Sequence, residues 1–571
     1  MPDHRALLEV ARGLAPADLL LTNGQLVNVY SGHVHRADVA ILGDTIAGVG
    51  SGYEALQVLD LRGRYLLPGL IDGRANVEAA CATIGDYGRI ALAHGTTSIV
   101  VELADMASVS GLRGVSELLD GARASGVDVF FSVPHIQIDP AIETTGAVLD
   151  QQALLVLDQV PRRVGYGGYL DSAALVQGRD DATPMLRGGP LPLTGSGPGL
   201  LARDLMAYIA SGVSGDDHWL SEDEAVQKLQ SGLWLLVQES STVSGTSQLP
   251  VAVKRGDTHR CCLVTGRRTP GDLLSQGHLD HAMRTAVRNG MTGIQAVRCA
   301  TLNPATYYHL QQRGAVAPGH VADLVAVDDL IHFQIEIVVK SGKAVVHRGQ
   351  PLAKTARQRV TFGASSVKIQ PLRIQDLAIR GHSGFCKVIG LRGDDAFTDS
   401  RWELTKVEHG ILVADPARDI LKAVVVERHR ASGRLGVGFV HGTGITRGAF
   451  CTSVAPPAHP LVAAGCSDHD IHVAISRVVD MQGGMALVVD GKVIESVPLP
   501  VGGVLSTATI EDTAERLERL ESACWDLGCE LAHPASSLGA LANLHLPALR
   551  LSERGLVDTD EGTLVPLQDD H

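Results

Sequence analysis

Residues 66–76 read Leu66-Leu-Pro-Gly-Leu-Ile-Asp-Gly-Arg-Ala-Asn76, an apolar run that ends in Asp-Gly and then in polar residues. A short apolar run of this kind predicts a buried strand. The Asp-Gly that follows indicates that the carboxyl end of this strand opens into a site, as in parallel α/β folds. Alternate residues of a strand point to the same side, so Arg74 and Asn76 are predicted to face that site together.

The length and charge of the chain limit what it can be. A chain of 571 residues is too long for one hydrophobic core, so several domains are expected. Its 49 Lys and Arg against 63 Asp and Glu give a net charge of −14, which disfavours nucleic acid and anionic membranes as partners. The nine cysteines include no Cys-X-X-Cys and predict free thiols in a reducing compartment. No uncharged apolar run reaches the roughly 18 residues of a membrane helix, so we expect a soluble, cytoplasmic protein.

Periodicity along the chain predicts an α/β fold. A short helix over residues 4–13 precedes several short strands, and Asn23-Gly24 is typical of a hairpin turn. Beyond residue 68, apolar strands such as 95–101 and 127–133 alternate with helical patterns. The helical patterns cover residues 107–125, 200–211, 222–231 and 273–289. Repeated βα units over this length predict a (β/α)8 TIM-type barrel.

The same patterns divide the chain into domains. Residues 1–67 are predicted to begin a small β-domain, which the chain re-enters at 321–350 after the barrel of residues 68–320. A polar stretch without periodicity at 351–368 predicts a linker. Residues 369–571 are predicted to form a C-terminal α/β domain that contains a helix from about 509 to 527.

Several ordered segments are similar to those of one known family. They include Pro68–Gly73, His94-Gly-Thr-Thr, Gly277-His-Leu-Asp-His, Thr301-Leu-Asn-Pro-Ala, Gly314-Ala-Val-Ala-Pro-Gly-His-Val-Ala-Asp-Leu-Val and, near the C-terminus, Gly436-Val-Gly-Phe-Val and Pro498-Leu-Pro-Val-Gly-Gly-Val-Leu-Ser. Through these segments the chain resembles the bacterial adenine deaminases of the amidohydrolase superfamily from near its first residue to near its last. The resemblance implies a barrel with a small β-domain and a C-terminal α/β domain of that family.

The resemblance also implies a two-metal site at the barrel mouth, where a metal-bound hydroxide attacks the purine carbon that bears the amine. This chain departs from the family at the positions that should bind metal. Those positions hold Arg74 and Asn76 in place of His-X-His, Ala104 within Glu102-Leu-Ala-Asp105, Gly168 in place of a bridging glutamate, Ser196 in place of a histidine, and Gly266 in place of an aspartate. The family's His-Glu pair aligns with Asp217 and His218, and a C-terminal histidine-rich segment reads Ala455-Pro-Pro-Ala-His459-Pro.

Two groups of polar residues remain as candidates for a residual or rebuilt site. Glu102, Asp105, Asp217 and His218 could form a different site at the barrel mouth, or they could be a solvated rim. His278, Asp280 and His281 match the family and could line the pocket, or they could be surface groups at a helix start. Ser196 follows a strand end, but spacing assigns it no general base.

We therefore predict an adenine-deaminase-like protein that has lost its metal site, a pseudoenzyme with a binding or assembly role and no cofactor. The alternative is a hydrolytic deaminase, or a related amidohydrolase, with a rebuilt active site that uses Mn, Fe or Zn. Arg74, Arg267 and Arg268 favour an anionic ligand, and the resemblance implies a purine-like one. A homo-oligomer, or a hetero-oligomer with a catalytically intact relative, is also expected.

Overall fold

The structure is a computed structural model that describes residues 2–179, 191–352, 366–393 and 397–568. Helix α1 (His4–Ala11) starts at Asp3, whose side chain accepts a hydrogen bond from the Ala6 N–H. Five strands follow: β1 (Ala17–Asn28), β2 (His33–Leu42), β3 (Thr45–Gly50), β4 (Ala55–Asp60) and β5 (Tyr65–Pro68). Of the predicted linker 351–368, residues 353–365 lie outside the described residues.

The hairpin predicted at Asn23-Gly24 is wrong. Both residues lie inside the continuous strand β1, where the register with β2 shifts between Leu21 and Gly24. Asn23 adopts a φ of 56°, and the Asn23 Nδ2 group donates to Asp60 Oδ1 at 2.9 Å. Asn and Gly both tolerate the left-handed conformation that a bulge requires, so the pair that is typical of a turn here forms a bulge.

Eight parallel strands close into a barrel. They are β6 (Leu70–Ala75), β7 (Thr96–Val101), β8 (Asp128–Ile136), β9 (Arg163–Tyr169), β10 (Thr194–Gly195), β11 (Gly215–Asp216), β12 (Trp234–Gln238) and β13 (Cys261–Val264). Hydrogen bonding joins them as two four-stranded sheets. Parallel bridges from Tyr166 to Leu193 and from Ala75 to Gly266 connect those sheets on both sides. The predicted (β/α)8 barrel is confirmed, in a form distorted by the two-residue strands β10 and β11.

Twelve helices in the described residues belong to the barrel part of the chain. They are α2 (Ile84–Ala93), α3 (Ala104–Asp120), α4 (Gln151–Leu157), α5 (Ser172–Gln177), α6 (Ala202–Ala210), α7 (Glu222–Gln230), α8 (Gly245–Gln248), α9 (Val251–Arg255), α10 (Pro270–Ser275), α11 (Leu279–Arg288), α12 (Gly293–Cys299) and α13 (Leu302–Tyr307). The single helix predicted over 273–289 is two helices, because Gly277 adopts a φ of 105° and the chain turns there.

The small β-domain is one sheet built from two parts of the chain. After the barrel come β14 (Leu324–Val327), β15 (Ile335–Lys340), β16 (Lys343–His347) and β17 (Gln350–Pro351), and β14 pairs with β5. The resulting order is β17-β16-β15-β14-β5-β1-β2-β3, with β4 beside β1. Strand β5 leads directly into β6, so this sheet fixes the start of the first barrel strand.

The C-terminal part is mostly antiparallel. Its strands are β18 (Ile379–Arg380), β19 (Phe385–Leu391), β20 (Thr398–Leu404), β21 (Lys406–Glu408), β22 (Ile411–Val413), β23 (Ile420–Val426), β24 (Leu435–His441), β25 (Ala449–Thr452), β26 (Leu461–Gly465), β27 (Gly484–Val489), β28 (Lys492–Pro498), β29 (Leu549–Ser552), β30 (Gly555–Asp558) and β31 (Thr563–Val565). Its helices are α14 (Asp468–Asp480), α15 (Ile510–Asp526) and α16 (Pro534–Gly539).

The C-terminal domain packs over one end of the barrel. Strands β20-β19-β24-β23-β26-β25-β27-β28 form its eight-stranded sheet, and α15 packs against α10 of the barrel. Within the described residues, no helix combines the length and the apolar character needed to span a membrane.

Candidate functional site

The carboxyl ends of the barrel strands surround a cavity of about 190 Å³. Arg74 is the penultimate residue of β6, Glu102 follows β7, Ser196 follows β10 and Asp217 follows β11, and all four line the cavity. The C-terminal domain covers it with side chains that include Pro456, Met485, Leu517, Glu521, Ala535 and Leu546. The cavity therefore occupies the usual location of a barrel active site and is closed by a second domain.

A guanidinium–carboxylate cluster lies at the base of this cavity. Arg74 Nη1 donates to Asp217 Oδ2, and Arg74 Nη2 lies 3.8 Å from Glu102 Oε1. The Asp217 side chain is fully buried, and the Gln238 Nε2 group donates to the same Oδ2 atom at 2.8 Å. Arg74 thus joins carboxylates that follow two other strands of the barrel.

Neighbouring charges and burial shift the pKa values of these groups in opposite directions. Burial opposes ionisation of Asp217, but Arg74 and then His218 outweigh it and lower the pKa of Asp217 to about 2. Burial would also lower the pKa of Arg74, yet Asp217 and then Glu102 raise it. For Glu102 burial is the larger effect, so its pKa is raised despite Arg74. The Arg74–Asp217 pair is therefore ionised at neutral pH.

A second cluster surrounds Asp105, whose side chain is 1% exposed. Arg267 Nη1 donates to Asp105 Oδ2 at 3.0 Å, and the Tyr169 hydroxyl donates to Oδ1 at 2.6 Å. His459 from the C-terminal domain places Nε2 at 3.3 Å from the same Oδ1. Because the Ala455 N–H donates to His459 Nδ1 at 3.2 Å, the proton of a neutral His459 ring is on Nε2, the ring nitrogen nearer to Asp105.

Ser196, His218 and Asp217 lie together but do not form a nucleophilic triad. Ser196 Oγ and Asp217 Oδ1 each lie 2.9 Å from the same atom, His218 Nδ1. A triad needs the acid on one ring nitrogen and the nucleophile on the other, so that the second nitrogen can accept the proton. Burial lowers the pKa of His218, but Asp217 outweighs it and the net shift is upward. The arrangement favours a cationic His218 and gives Ser196 no base.

The other predicted site residues are divided between the cavity and the barrel interior. Asn76, Gly168 and Gly266 line the cavity, and Asn76 Oδ1 accepts from the Ala79 N–H at 2.7 Å. Ala104 begins α3 and, like Asp105, is buried behind the cavity wall. The interpretation as a solvated rim is wrong for Asp105 and Asp217, whose side chains are buried. Glu102 and His218 are partly exposed and line the cavity.

His278, Asp280 and His281 do not line the cavity. His278 is fully buried, with Nε2 at 2.9 Å from Tyr87 Oη and Nδ1 at 2.9 Å from Thr96 Oγ1. Burial lowers the pKa of His278 to about 3, so this ring is neutral. Asp280 Oδ2 lies 3.1 Å from His94 Nδ1 and accepts from Arg284 at 2.9 Å. Both expectations for this segment, pocket lining and exposed surface groups, are wrong for His278 and Asp280.

Two of the site residues were not identified from the sequence, and a third residue was predicted near the site incorrectly. Gln238 and Tyr169 each end a barrel strand, β12 and β9, and that position is the signal that could have identified them. Arg268, expected near the site, is instead buried, where its Nη1 donates to the Glu239 carbonyl at 3.1 Å. It points away from the cavity because successive residues of an extended chain face opposite sides.

The residues present do not fit a divalent metal. Across residues 2–179, 191–352, 366–393 and 397–568, no group of three or more His, Cys, Asp or Glu side chains could hold a metal ion. The cation beside Asp217 and Glu102 is a guanidinium. At Gly168, where φ is +114°, an added Cβ would lie 2.2 Å from the His135 carbonyl oxygen. At Gly266 it would lie 2.2 Å from Gln238 Oε1. A side chain at Gly168 would therefore require the backbone to move, whereas one at Gly266 would require the Gln238 side chain to move.

Comparison with known proteins places this architecture in a family. The model of the amidohydrolase family matches residues 224–349, and that of the adenine deaminase C-terminal domain matches residues 395–563. An adenine deaminase of Dehalococcoides mccartyi is 36% identical over 561 residues, which cover 98% of each chain. Adenine deaminase 2 of Carboxydothermus hydrogenoformans is 34% identical, with coverage of 99% of this chain and 100% of its own. The adenine deaminase of Kosmotoga olearia is 33% identical over 566 residues. With these full-length similarities, the chain belongs to the adenine deaminase family of amidohydrolases.

Proposed function

We propose that this protein is a metal-independent, non-catalytic member of the adenine deaminase family that keeps the barrel-mouth cavity for binding. The observation that carries the proposal is the contact of the Arg74 guanidinium with Asp217 and Glu102. The family's hydrolytic chemistry implies metal ions at this depth of the barrel mouth. A guanidinium can neutralise the same carboxylates, but it is not a Lewis acid and lowers no water pKa toward neutrality.

The remaining side chains support the same conclusion. Asp217, with its pKa lowered to about 2, is too weak a base to take a proton from water at neutral pH. Asp105 accepts from Arg267 and Tyr169 and is separated from the cavity. His218 directs Nδ1 at both Asp217 and Ser196. Asp217 is thus ion-paired, Asp105 lies outside the cavity, and the His218 Nδ1 atom is shared between two partners.

The test combines metal analysis with an activity assay. Purified protein is expected to contain substoichiometric Mn, Fe and Zn, and to release no ammonia from adenine when each metal is supplied. The Dehalococcoides mccartyi relative, purified in parallel, is the positive control. Stoichiometric metal together with turnover would overturn the proposal.

The alternative is a hydrolase with a rebuilt active site, and the raised pKa of Glu102 is the observation that favours it. A carboxyl whose pKa rises toward neutrality is suited to general acid–base work. Activity by this route would survive a chelator and disappear in Glu102→Gln. The same ammonia assay, run with and without chelator on the wild type and on Glu102→Gln, distinguishes this rebuilt hydrolase from the non-catalytic proposal.

A further inference from the structure

The guanidinium of Arg267 is hydrogen-bonded to protein groups on one side only. Its Nη1 atom donates to Asp105 and lies 3.4 Å from the Tyr169 hydroxyl. Its Nε and Nη2 atoms make no hydrogen bond to any residue of the described ranges, although the side chain is 35% exposed and lines the cavity. Nε and Nη2 form the side of a guanidinium that binds a carboxylate through two parallel hydrogen bonds.

Arg74 offers no equivalent edge, because its two terminal nitrogens already face Asp217 and Glu102. Asp105, in contrast, does not depend on Arg267 alone. The Tyr169 hydroxyl at 2.6 Å and His459 Nε2 at 3.3 Å also face its carboxylate. Arg267 can therefore share its charge with a ligand while Asp105 stays solvated by protein groups.

A second set of donors lies beside Arg267. The Ser241 N–H donates to the Arg267 carbonyl at 3.0 Å, which fixes the turn at residues 240–243 against this residue. The Val243 N–H donates to Ser240 Oγ at 2.9 Å within the same turn. Thr242 lines the cavity, and neither its N–H nor its hydroxyl has a hydrogen-bond partner among the residues that the structure describes.

The volume and lining of the cavity limit the size and polarity of the ligand that it can bind. The C-terminal domain contributes a mainly apolar wall, which consists of Val454, Pro456, Met485, Leu517, Ala535 and Leu546 together with the polar Glu521, Ser536, Ser537, Asn543 and His545. A cavity of about 150 Å³ lined by apolar side chains holds benzene, so the volume of about 190 Å³ here suits a ligand with one ring. An apolar wall with a few convergent polar groups is the usual composition of a small-molecule site.

We propose that the cavity binds a small planar monocarboxylate, a single-ring aromatic or heteroaromatic acid, with its carboxylate on the Nε–Nη2 edge of Arg267 and beside Thr242, and its ring against the C-terminal domain. This inference rests on the proposed function in one respect, namely that the cavity is a binding pocket and not a hydrolytic site.

The test uses nicotinate and its neutral isostere nicotinamide as probes, with isothermal titration calorimetry on the full-length protein. Nicotinate is expected to bind at millimolar concentration, and nicotinamide to bind at least about tenfold more weakly. Arg267→Lys keeps a charge for Asp105 but removes the bidentate edge, and is expected to weaken nicotinate binding at least about tenfold. Arg113→Lys is the matched control, because Arg113 is exposed on α3 and pairs with Glu117.

Thr242→Val provides a second variant that leaves the Arg267–Asp105 pair intact, and it is also expected to weaken nicotinate binding. The inference is overturned if nicotinamide binds as well as nicotinate, if neither probe binds, or if both Arg267→Lys and Thr242→Val bind nicotinate like the wild type. These outcomes are independent of the metal content and ammonia release that test the proposed function, so the two can fail separately.

Discussion

The guanidinium of Arg74 donates to the fully buried carboxylate of Asp217 and thereby connects the end of β6 with the end of β11, the first and sixth strands of the barrel. In a metal-dependent barrel a divalent cation would connect strand ends in this way. Here the connecting cation is part of the chain, so it is present whenever the protein is folded and its contribution belongs to folding stability.

Replacement of Arg74 should destabilise the fold. Arg74→Met removes the guanidinium from the buried charge of Asp217 and leaves His218 as its remaining ion-pair partner. Removal of one partner from a buried ion pair costs about 3–5 kcal/mol. We expect a fall of that size in the free energy of unfolding measured with urea. In the Asp217→Asn background the same replacement should cost clearly less, because the fully buried charge at position 217 is then absent. Arg5→Met removes an exposed pair with Glu9 and should cost under about 0.5 kcal/mol. Equal costs for Arg74→Met in both backgrounds would refute the coupling.

Acid should weaken the fold partly through Asp217. Its pKa falls from 3.8 in the unfolded chain to about 2 in the folded protein. The ionised pair therefore stabilises the fold above pH 3.8, and that contribution is lost as the pH falls through about 2. The shift corresponds to about 2 kcal/mol. Urea unfolding between pH 5 and pH 2 should show wild-type stability falling more steeply than that of Asp217→Asn, since other buried carboxylates affect both proteins alike. Parallel curves would contradict this assignment.

Gly168→Ala should be poorly tolerated. The residue has a φ of +114°, and an added Cβ would lie 2.2 Å from the backbone oxygen of His135, which cannot rotate away. We expect a loss of at least about 2 kcal/mol in the free energy of unfolding, from conformational strain and the clash together. Gly290 is the matched control, with a φ of +108° and no atom within 4 Å of an added Cβ. If Gly290→Ala costs as much as Gly168→Ala, the contact with His135 is not responsible.

Histidines placed at positions 74 and 76 should not be sufficient to create a metal site. In the double variant Arg74→His, Asn76→His, the positions predicted to correspond to the family's bridging glutamate and aspartate are still Gly168 and Gly266, which carry no side chain to bind a metal. Each missing ligand costs at least about tenfold in affinity, so we expect no stoichiometric Zn or Mn by mass spectrometry after dialysis. The single variant Asn76→His is the control for nonspecific binding of metal to an added histidine. One metal per chain in the double variant alone would show that two histidines are sufficient.

Much of the fold follows from local patterns. Apolar runs such as residues 96–101, buried along their whole length, predict parallel strands because both of their faces are covered. The helix predicted at 509–527 is α15 (Ile510–Asp526), where the Thr509 side chain accepts from the Asp512 N–H. Local patterns failed at Asn23, where a residue pair suited to a turn is suited equally to a bulge. They failed again at Gly277, where helical spacing on both sides hid a break.

The sequence by itself determined the barrel and its strand ends. The resemblance to the family predicts, in addition, that Arg74, Asn76, Ala104, Gly168, Ser196 and Gly266 stand where the family has metal ligands. Only the tertiary structure decided which charged side chains at the barrel mouth pair with one another. Arg267 and Asp105 are 162 residues apart, and His459 reaches Asp105 from another domain. Periodicity reports which face of an element is buried, but it carries no information about which strand ends become neighbours. That depends on barrel closure and on the packing of the C-terminal domain, which bring the partners within hydrogen-bond distance.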